Sequence, residues 1–312
     1  MQLHARVGSR TASRTSSLRG SSGRPGPAAA AGARAAAPRR GRRMAAPPAA
    51  AQSGAVALDP AAVDLAHRLA DAAARITTRY FRSSSFDVDT KSDASPVTIA
   101  DREAEAAMRA LIRGAFPDHG VFGEEHGRLA VERARRRRGK SEPLFGTLVA
   151  LLHRGTPLLG LIDAPALRER WLGVAGQRTT LNGAPVRTRA CGEVGAAYMY
   201  STTPHMFSGD NEAAWSRLRS SVRIPLYGCD CYAYGLLAAG HCDLVCEADL
   251  KPYDYAALVP VVQGAGGVIT DWSGQPLRWW PDGPDAAVRP GEVLAAGDER
   301  AHAQALRILD WR

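Results

Sequence analysis

The fold is decided by residues 228–272, GCDCYAYGLLAAGHCDLVCEADLKPYDYAALVPVVQGAGGVITDW. Small residues crowd 230–239 at a spacing that suits a tightly packed helix, and the apolar run 243–247 reads as a buried strand. A further helix over 253–263 ends at Gly264-Ala265-Gly266-Gly267, whose glycines supply the positive φ that stops a helix, and a strand near 268–270 follows. Helix and strand alternate here without a repeat, the pattern of a mixed α/β protein built from layered helices and sheets.

The alternation extends in both directions. Upstream, Asp59-Pro60 forms a helix start of N-cap and first-turn proline, and Val63, Ala66, Leu69, Ala70, Ala73 and Ile76 line one face of a long first helix. Thr98 and Asp101 make a capping-box-like start for a second helix, whose apolar stripe is Ala104, Met108, Leu111, Ile112 and Ala115. Asp101 therefore stands at a helix N-terminus, where an anion is favoured and can face a site. Apolar runs at 144–152 and 158–162 read as strands, and Asn182-Gly183 as a tight turn. A helix over 210–221 and a short strand to Tyr227 lead into the opening stretch; a strand near 293–296 and a helix from Glu299 close the chain. This organisation predicts an α+β lobe over 58–190 and an α/β lobe over 191–312.

With 312 residues, 45% of them hydrophobic, the chain can bury one large core or two smaller ones. Its net charge of +9 first suggests an anionic partner such as nucleic acid. Residues 1–58, however, hold ten Arg, no Lys and no acid, which leaves 30 basic against 31 acidic residues in the body. A nearly neutral body gives no reason to expect nucleic acid. Residues 1–57 are rich in Ser, Thr, Ala, Gly and Pro and have no apolar central segment, so they read as a disordered organelle transit peptide, with a plastid as the expected destination. No run approaches the roughly 18 uninterrupted apolar residues of a membrane span, and a membrane association is not expected. The cysteines, Cys191, Cys229, Cys231, Cys242 and Cys246, lack the spacing of a common zinc ribbon and a companion His pair, which favours small buried thiols over a zinc site.

Three acidic clusters could carry chemistry: Lys91-Ser92-Asp93 through Thr98 and Asp101, Gly123-Glu124-Glu125, and Pro252-Tyr253-Asp254. Each places a carboxylate at the edge of a helix or strand, where oxygen ligands for a hard cation can converge. Together with the 228–272 string, and with Ser201-Thr202-Thr203-Pro204-His205-Met206-Phe207 and Pro143-Leu144-Phe145-Gly146-Thr147, they resemble the inositol monophosphatase superfamily. Within it the wording is similar to plant-type histidinol-phosphate phosphatases, from about residue 60 to the end.

The resemblance implies a sandwich of the inositol monophosphatase and fructose-bisphosphatase kind, commonly a homodimer, that hydrolyses a small phosphate monoester with Mg2+. It makes Glu124 a metal ligand, Asp254 a ligand of the second metal that also faces substrate, and Asp101 the acid orienting the attacking water and a further Mg2+. Lys91 and Asp93 fall on a loop that closes over the metals. Gly228, Cys229 and Asp230 match the substrate loop, and Glu247 the hydroxyl-binding acid. A carboxylate at Asp230, where inositol enzymes usually carry a small residue, suits the ammonium and imidazole of histidinol phosphate better than a neutral polyol. Capping of the following helix is the other role open to Asp230. An inositol or other sugar monophosphatase and a catalytically silent relative are the competing functions.

One expected motif is missing. The resemblance places Asp-Pro-(Ile/Leu)-Asp-Gly-Thr between Gly-Glu-Glu and the Phe-Gly-Thr strand, yet residues 128–142 there carry Arg133 and Arg135, Arg136, Arg137 and Arg138. Two bridging aspartates and a water-orienting threonine thus lack counterparts, and Asp163 aligns elsewhere. No aromatic residue interleaves with the Arg run, which argues against RNA binding. An exon missed in reading the gene, a non-catalytic relative and a rewired site are the three accounts of the gap. On each, the loss of a core strand should damage the sheet, and an Arg cluster facing the acids would repel cations.

Overall fold

A computed structural model describes residues 2–8, 58–81, 88–90, 96–125, 135–137, 145–279 and 291–311. The chain runs β1 (Gln2–Gly8), α1 (Pro60–Tyr80), β2 (Val88–Thr90), β3 (Pro96–Thr98), α2 (Ile99–Ala115), β4 (Gly120–Gly123), β5 (Arg135–Arg137) and β6 (Gly146–His153). Next come β7 (Thr156–Ala164), β8 (Glu169–Val174), β9 (Thr180–Leu181), β10 (Ala184–Pro185), β11 (Tyr198–Ser201), α3 (Asp210–Ser221), β12 (Ile224–Tyr227) and α4 (Tyr232–Ala238). β13 (Leu244–Glu247), α5 (Pro252–Tyr255), α6 (Leu258–Gly264), β14 (Val268–Asp271), β15 (Val293–Ala296) and α7 (Glu299–Leu309) complete it. No helix among the described residues is long and apolar enough to cross a membrane.

Period-two alternation on the strands builds the layers. On β6 and β7, Val149, Leu151, Leu159 and Leu161 face α1 and α2, where Leu65, Leu69, Met108 and Ile112 meet them. Leu148, Ala150, Leu152 and Ile162 point the other way, against Tyr234, Leu237, Val261 and Val262 of α4 and α6. The same core takes Val245, Val293 and Ala295 from one face of the second sheet. The opposite face of that sheet offers Met199, Leu244, Leu294 and Ala296 to Trp215 and Leu218 of α3 and Ala305 and Leu309 of α7. Helices, sheet, helices, sheet and helices thus stack as five layers.

The first sheet has the order β10-β9-β8-β7-β6-β1-β4, and the second β12-β11-β13-β15-β14. A small third sheet, β3-β2-β5, pairs Arg135–Arg137 with Val88–Thr90. The two lobes expected at 58–190 and 191–312 are layers of one body, since β1 and everything described from Leu58 onward form a single compact unit.

The predicted damage to the first sheet is corrected by β1. Gln2–Gly8 runs antiparallel to β6 through seven register pairs, Gln2↔Leu152 to Gly8↔Gly146, and parallel to β4 through four, Gln2↔Gly120 to Ala5↔Gly123. It lies in the sheet between the Gly-Glu-Glu strand and the Gly-Thr strand, the two segments between which the resemblance places the missing motif in sequence. The expectation that 1–57 is wholly disordered therefore fails for Gln2–Gly8, because two exposed strand edges offer hydrogen bonds on both sides of any extended segment. Residues 9–57 lie outside the described residues, as do 126–134 and 138–144 of the Arg-rich stretch.

Two helix boundaries also differ from expectation. The single helix over 253–263 is two, α5 and α6, because Pro260 has no N–H to offer the Ala256 carbonyl one turn earlier. The helix expected from 230 starts at Tyr232, after a left-handed run at Gly228 (φ 92°), Cys229 (71°) and Asp230 (45°). α6 lies hard against β7 and β8: a Cβ on Gly160 would stand 1.9 Å from the Ala257 carbonyl oxygen, and one on Gly173 2.4 Å from that of Pro260.

Candidate active site

The second sheet ends in three parallel strands, β12, β11 and β13. Their carboxyl ends carry Gly228, Thr202 and Glu247 side by side, the place where open α/β sheets bind ligands. The Gly228 N–H donates to the carbonyls of Ser201 (3.2 Å) and Thr202 (3.0 Å), so the loop after β12 is tied to the end of β11. Cys229 and Asp230 hold left-handed backbone, a conformation that costs a non-glycine residue of order 1 kcal/mol and gathers at functional loops. α4 takes Cys231 as its N-cap residue, without a side-chain cap bond. Asp230 stands one residue before that N-cap and is 8% exposed.

Glu247 is 2% exposed. Its Oε1 accepts the Thr202 N–H at 3.1 Å and the Thr202 hydroxyl at 2.5 Å, and its Oε2 accepts the Tyr234 hydroxyl at 2.9 Å. Burial and the adjacent Glu247 charge push the Tyr234 phenol well above its ordinary range, so it stays a donor. Tyr232, on the next face of α4, donates to Glu169 Oε2 at 2.6 Å and crosses Trp171 edge-on at 5.4 Å. The Cys229 thiol is raised by burial, although its bond with the Tyr200 hydroxyl opposes the shift. All five cysteines are free thiols, and burial holds Cys242 up at about 12.

The acids of the first sheet stand at one edge of it. Glu124 follows β4, and its neighbour Glu125 donates its backbone N–H to Glu105 Oε2 at 2.7 Å. Glu105, 1% exposed, pairs with Arg109 at 2.8 Å and overlies Gly123, where a Cβ would meet its carboxylate at 2.4 Å. Asp101 is buried in the first turn of α2, one turn before Glu105. Asp254 is buried in α5 and its Oδ2 accepts the Lys251 N–H at 2.8 Å. Phe122 of β4 lies against Tyr253 (5.7 Å) and Trp279 (4.6 Å), which draws α5 toward the Glu124 edge. Gly146 starts β6 at this same edge, opposite Gly8, and a Cβ there would lie 2.8 Å from Cys231 Sγ, so the 228–230 loop, which runs into Cys231, adjoins it.

Lys91 and Asp93 lie outside the described residues. Asp163 belongs to a different network: Arg170 joins it at 2.7 Å and Asp71 of α1 at 2.8 Å. Burial raises the Asp163 carboxyl despite that partner.

A pair of divalent cations needs several oxygen ligands at once. Among the described residues no three Asp, Glu, His or Cys side chains are grouped as such a site requires, so Asp101, Glu124 and Asp254 do not by themselves fit the expected metals. Among the described residues, Glu247 at the second sheet is held by hydrogen bonds, while the acids at the edge of the first sheet form no three-ligand group. Sequence reasoning passed over Glu105, Thr202 and Tyr234. Glu105 was within reach, for it shares the buried helical face of Asp101, Ala104 and Met108.

Comparison with known proteins shows the family. The pattern of the inositol monophosphatase family matches residues 60–139 and 138–310, two segments that meet inside the Arg-rich stretch. The bifunctional phosphatase IMPL2, chloroplastic, of Arabidopsis thaliana is 49% identical over 256 residues, covering 78% of this chain and 73% of that one. A histidinol-phosphatase of Chlorobaculum parvum is 33% identical over 224 residues, 68% of this chain and 86% of its own. Among solved structures, an inositol monophosphatase from Zymomonas mobilis superposes with a TM-score of 0.68 at 40% identity, over 80% of this chain and 98% of that one. The chain belongs to the inositol monophosphatase family of phosphoric monoester hydrolases.

Proposed function

We propose that this chain is a histidinol-phosphate phosphatase of the Mg2+-dependent kind, with a complete substrate half and a metal half too poor in ligands for efficient turnover. The observation that carries the substrate is the pair of buried acids, Asp230 and Glu247, at the carboxyl ends of β12 and β13. Two carboxylates at a small-ligand site favour a phosphate ester that carries an ammonium or imidazolium over a neutral polyol. Similarity to histidinol-phosphatases and to a chloroplastic relative supports the assignment and a plastid-stroma location, with residues 1–57 as the leader.

In this proposal Gly228, Cys229, Asp230 and Glu247 bind and orient the alcohol end of the substrate. Asp101, Glu124 and Asp254 are the acids assigned to Mg2+, which in the bound state would supply the charge that stabilises the attacking and leaving oxygens. Lys91 and Asp93 form the closing loop, and the assembly is a homodimer. Phosphate release from histidinol phosphate and from inositol 1-phosphate, with Mg2+ titrated, tests the substrate. Faster release from the histidinol ester is expected; preference for the inositol ester would overturn the proposal.

A second reading, a catalytically silent relative, is favoured by the lack of a three-ligand group among the described residues. Mg2+ calorimetry separates the two. Saturable binding supports the enzyme, and none supports the silent protein.

A further inference from the structure

We infer that Thr202 and Tyr234 are positioning residues, which aim the Glu247 carboxylate and couple it to the 228–230 loop, so that they set the preference for a cationic alcohol. This rests on the substrate assignment proposed above. Thr202 reaches both halves of the binding site. Its N–H and hydroxyl go to one oxygen of Glu247 at 3.1 and 2.5 Å, while its carbonyl accepts the Gly228 N–H at 3.0 Å. Tyr234 takes the other carboxylate oxygen at 2.9 Å from α4, the helix that the loop feeds.

Three donors on two oxygens fix the plane of the carboxylate, and at 2% exposure they supply bonds that a buried charge needs. A carboxylate that only accepts a polyol hydroxyl can rotate with little loss. One that must face an ammonium at a set distance from a phosphate benefits from a fixed plane. Ser201 makes the anchoring complete: its hydroxyl donates to the Cys246 carbonyl at 2.7 Å and receives the Trp215 indole N–H at 3.0 Å. The ends of β11 and β13 are thereby locked in register beside the loop.

The test uses the full chain, with L-histidinol and myo-inositol as probes in an NMR titration that needs no turnover. Tyr234→Phe and Thr202→Val each remove one hydroxyl at almost constant shape, and each should weaken L-histidinol binding by about tenfold, the value of one hydrogen bond to a charged group. Inositol binding should change less, so the histidinol-to-inositol ratio falls. Thr202→Ser keeps the hydroxyl and should restore the ratio, whereas a merely structural role would lower thermal stability and leave the ratio alone. An unchanged ratio in both Tyr234→Phe and Thr202→Val overturns the inference. Glu247→Gln keeps the two failures apart. If it too preserves the ratio, the substrate assignment falls; if it abolishes the ratio while the other two variants keep it, only the positioning role does.

Discussion

Replacing Ala5 by Pro, or starting the chain at Leu58, should open the first sheet near its middle. Ala5 is paired on both sides, with Val149 of β6 and Gly123 of β4. Proline at a doubly paired position removes a ladder donor and sets its ring against the neighbouring strand, at a cost of about 3 kcal/mol. In a body of this size each kcal/mol lowers the melting temperature by about 2–4 °C, so Ala5→Pro should melt about 6–12 °C lower than the parent chain. The chain beginning at Leu58 should lose more, because β4 has no other strand beside it in the sheet order. Differential scanning calorimetry measures the first effect. Amide exchange of Thr147 to Leu152 on β6 localises it, and protection there should fall in both altered chains. A synthetic Gln2–Gly8 peptide added to the shortened chain should restore the protection, as a strand supplied in trans. Equal melting temperatures and equal β6 protection in all three chains would refute the strand's role and leave residues 1–57 as leader alone.

Three further outcomes follow from particular side chains. His302 is held down at about 4 by burial, with Thr270 Oγ1 2.9 Å from its Nε2. Its folded pKa lies below the unfolded value of about 6.5, so its stabilising effect is complete above that pH and is lost as pH falls toward 4; urea titration should show about 2 kcal/mol lost by pH 5, and His302→Gln should not show it. Arg170→Met strands the buried Asp163 carboxylate and should cost about 2 kcal/mol by denaturant unfolding, with Asp163→Asn in the same chain recovering part; a purely additive double-mutant cycle would refute the coupling. Gly160→Ala should cost about 1–3 kcal/mol, as α6 must move off the Ala257 carbonyl. The same variant should disturb the neighbouring α5 and its Asp254, which chemical shifts around Tyr253 and Asp254 would register.

Much of the layering was legible because it depends on local periodicity. The alternation in 146–164 has two apolar faces, and a strand apolar on both faces must lie between two layers of helix. Helix ends were legible where a single residue decides them, as Asp59 does for α1. The break one turn before Pro260 was equally visible but is easily passed over inside an apolar run. β1 was not legible at all. It pairs across more than a hundred residues, Gln2 with Gly120 and Leu152, and nothing in a seven-residue segment within an Arg-rich leader states which edges it will meet. Glu103 and Glu105 look alike in sequence. In the fold one lies at the surface with Arg79 and Tyr80, while the other is buried against the Glu124–Glu125 corner.

The two halves of the proposed site differ in how much sequence each requires, which accounts for the difference between them among the described residues. Thr202, Gly228, Asp230, Tyr234 and Glu247 all come from one continuous stretch after residue 198, at the parallel end of a mixed sheet whose strands all come from the same stretch. The acidic edge instead needs a strand between β4 and β6, and the residues that occupy this position, Gln2–Gly8, contain no acid. Arg6 pairs with Leu148 of β6, one position beyond the last pair with β4, Ala5↔Gly123. A basic residue, and no acid, thus stands in the strand between β4 and β6. On the proposed assignment, which puts specificity on the second sheet and hydrolysis on the first, ligand preference should outlast turnover in this chain.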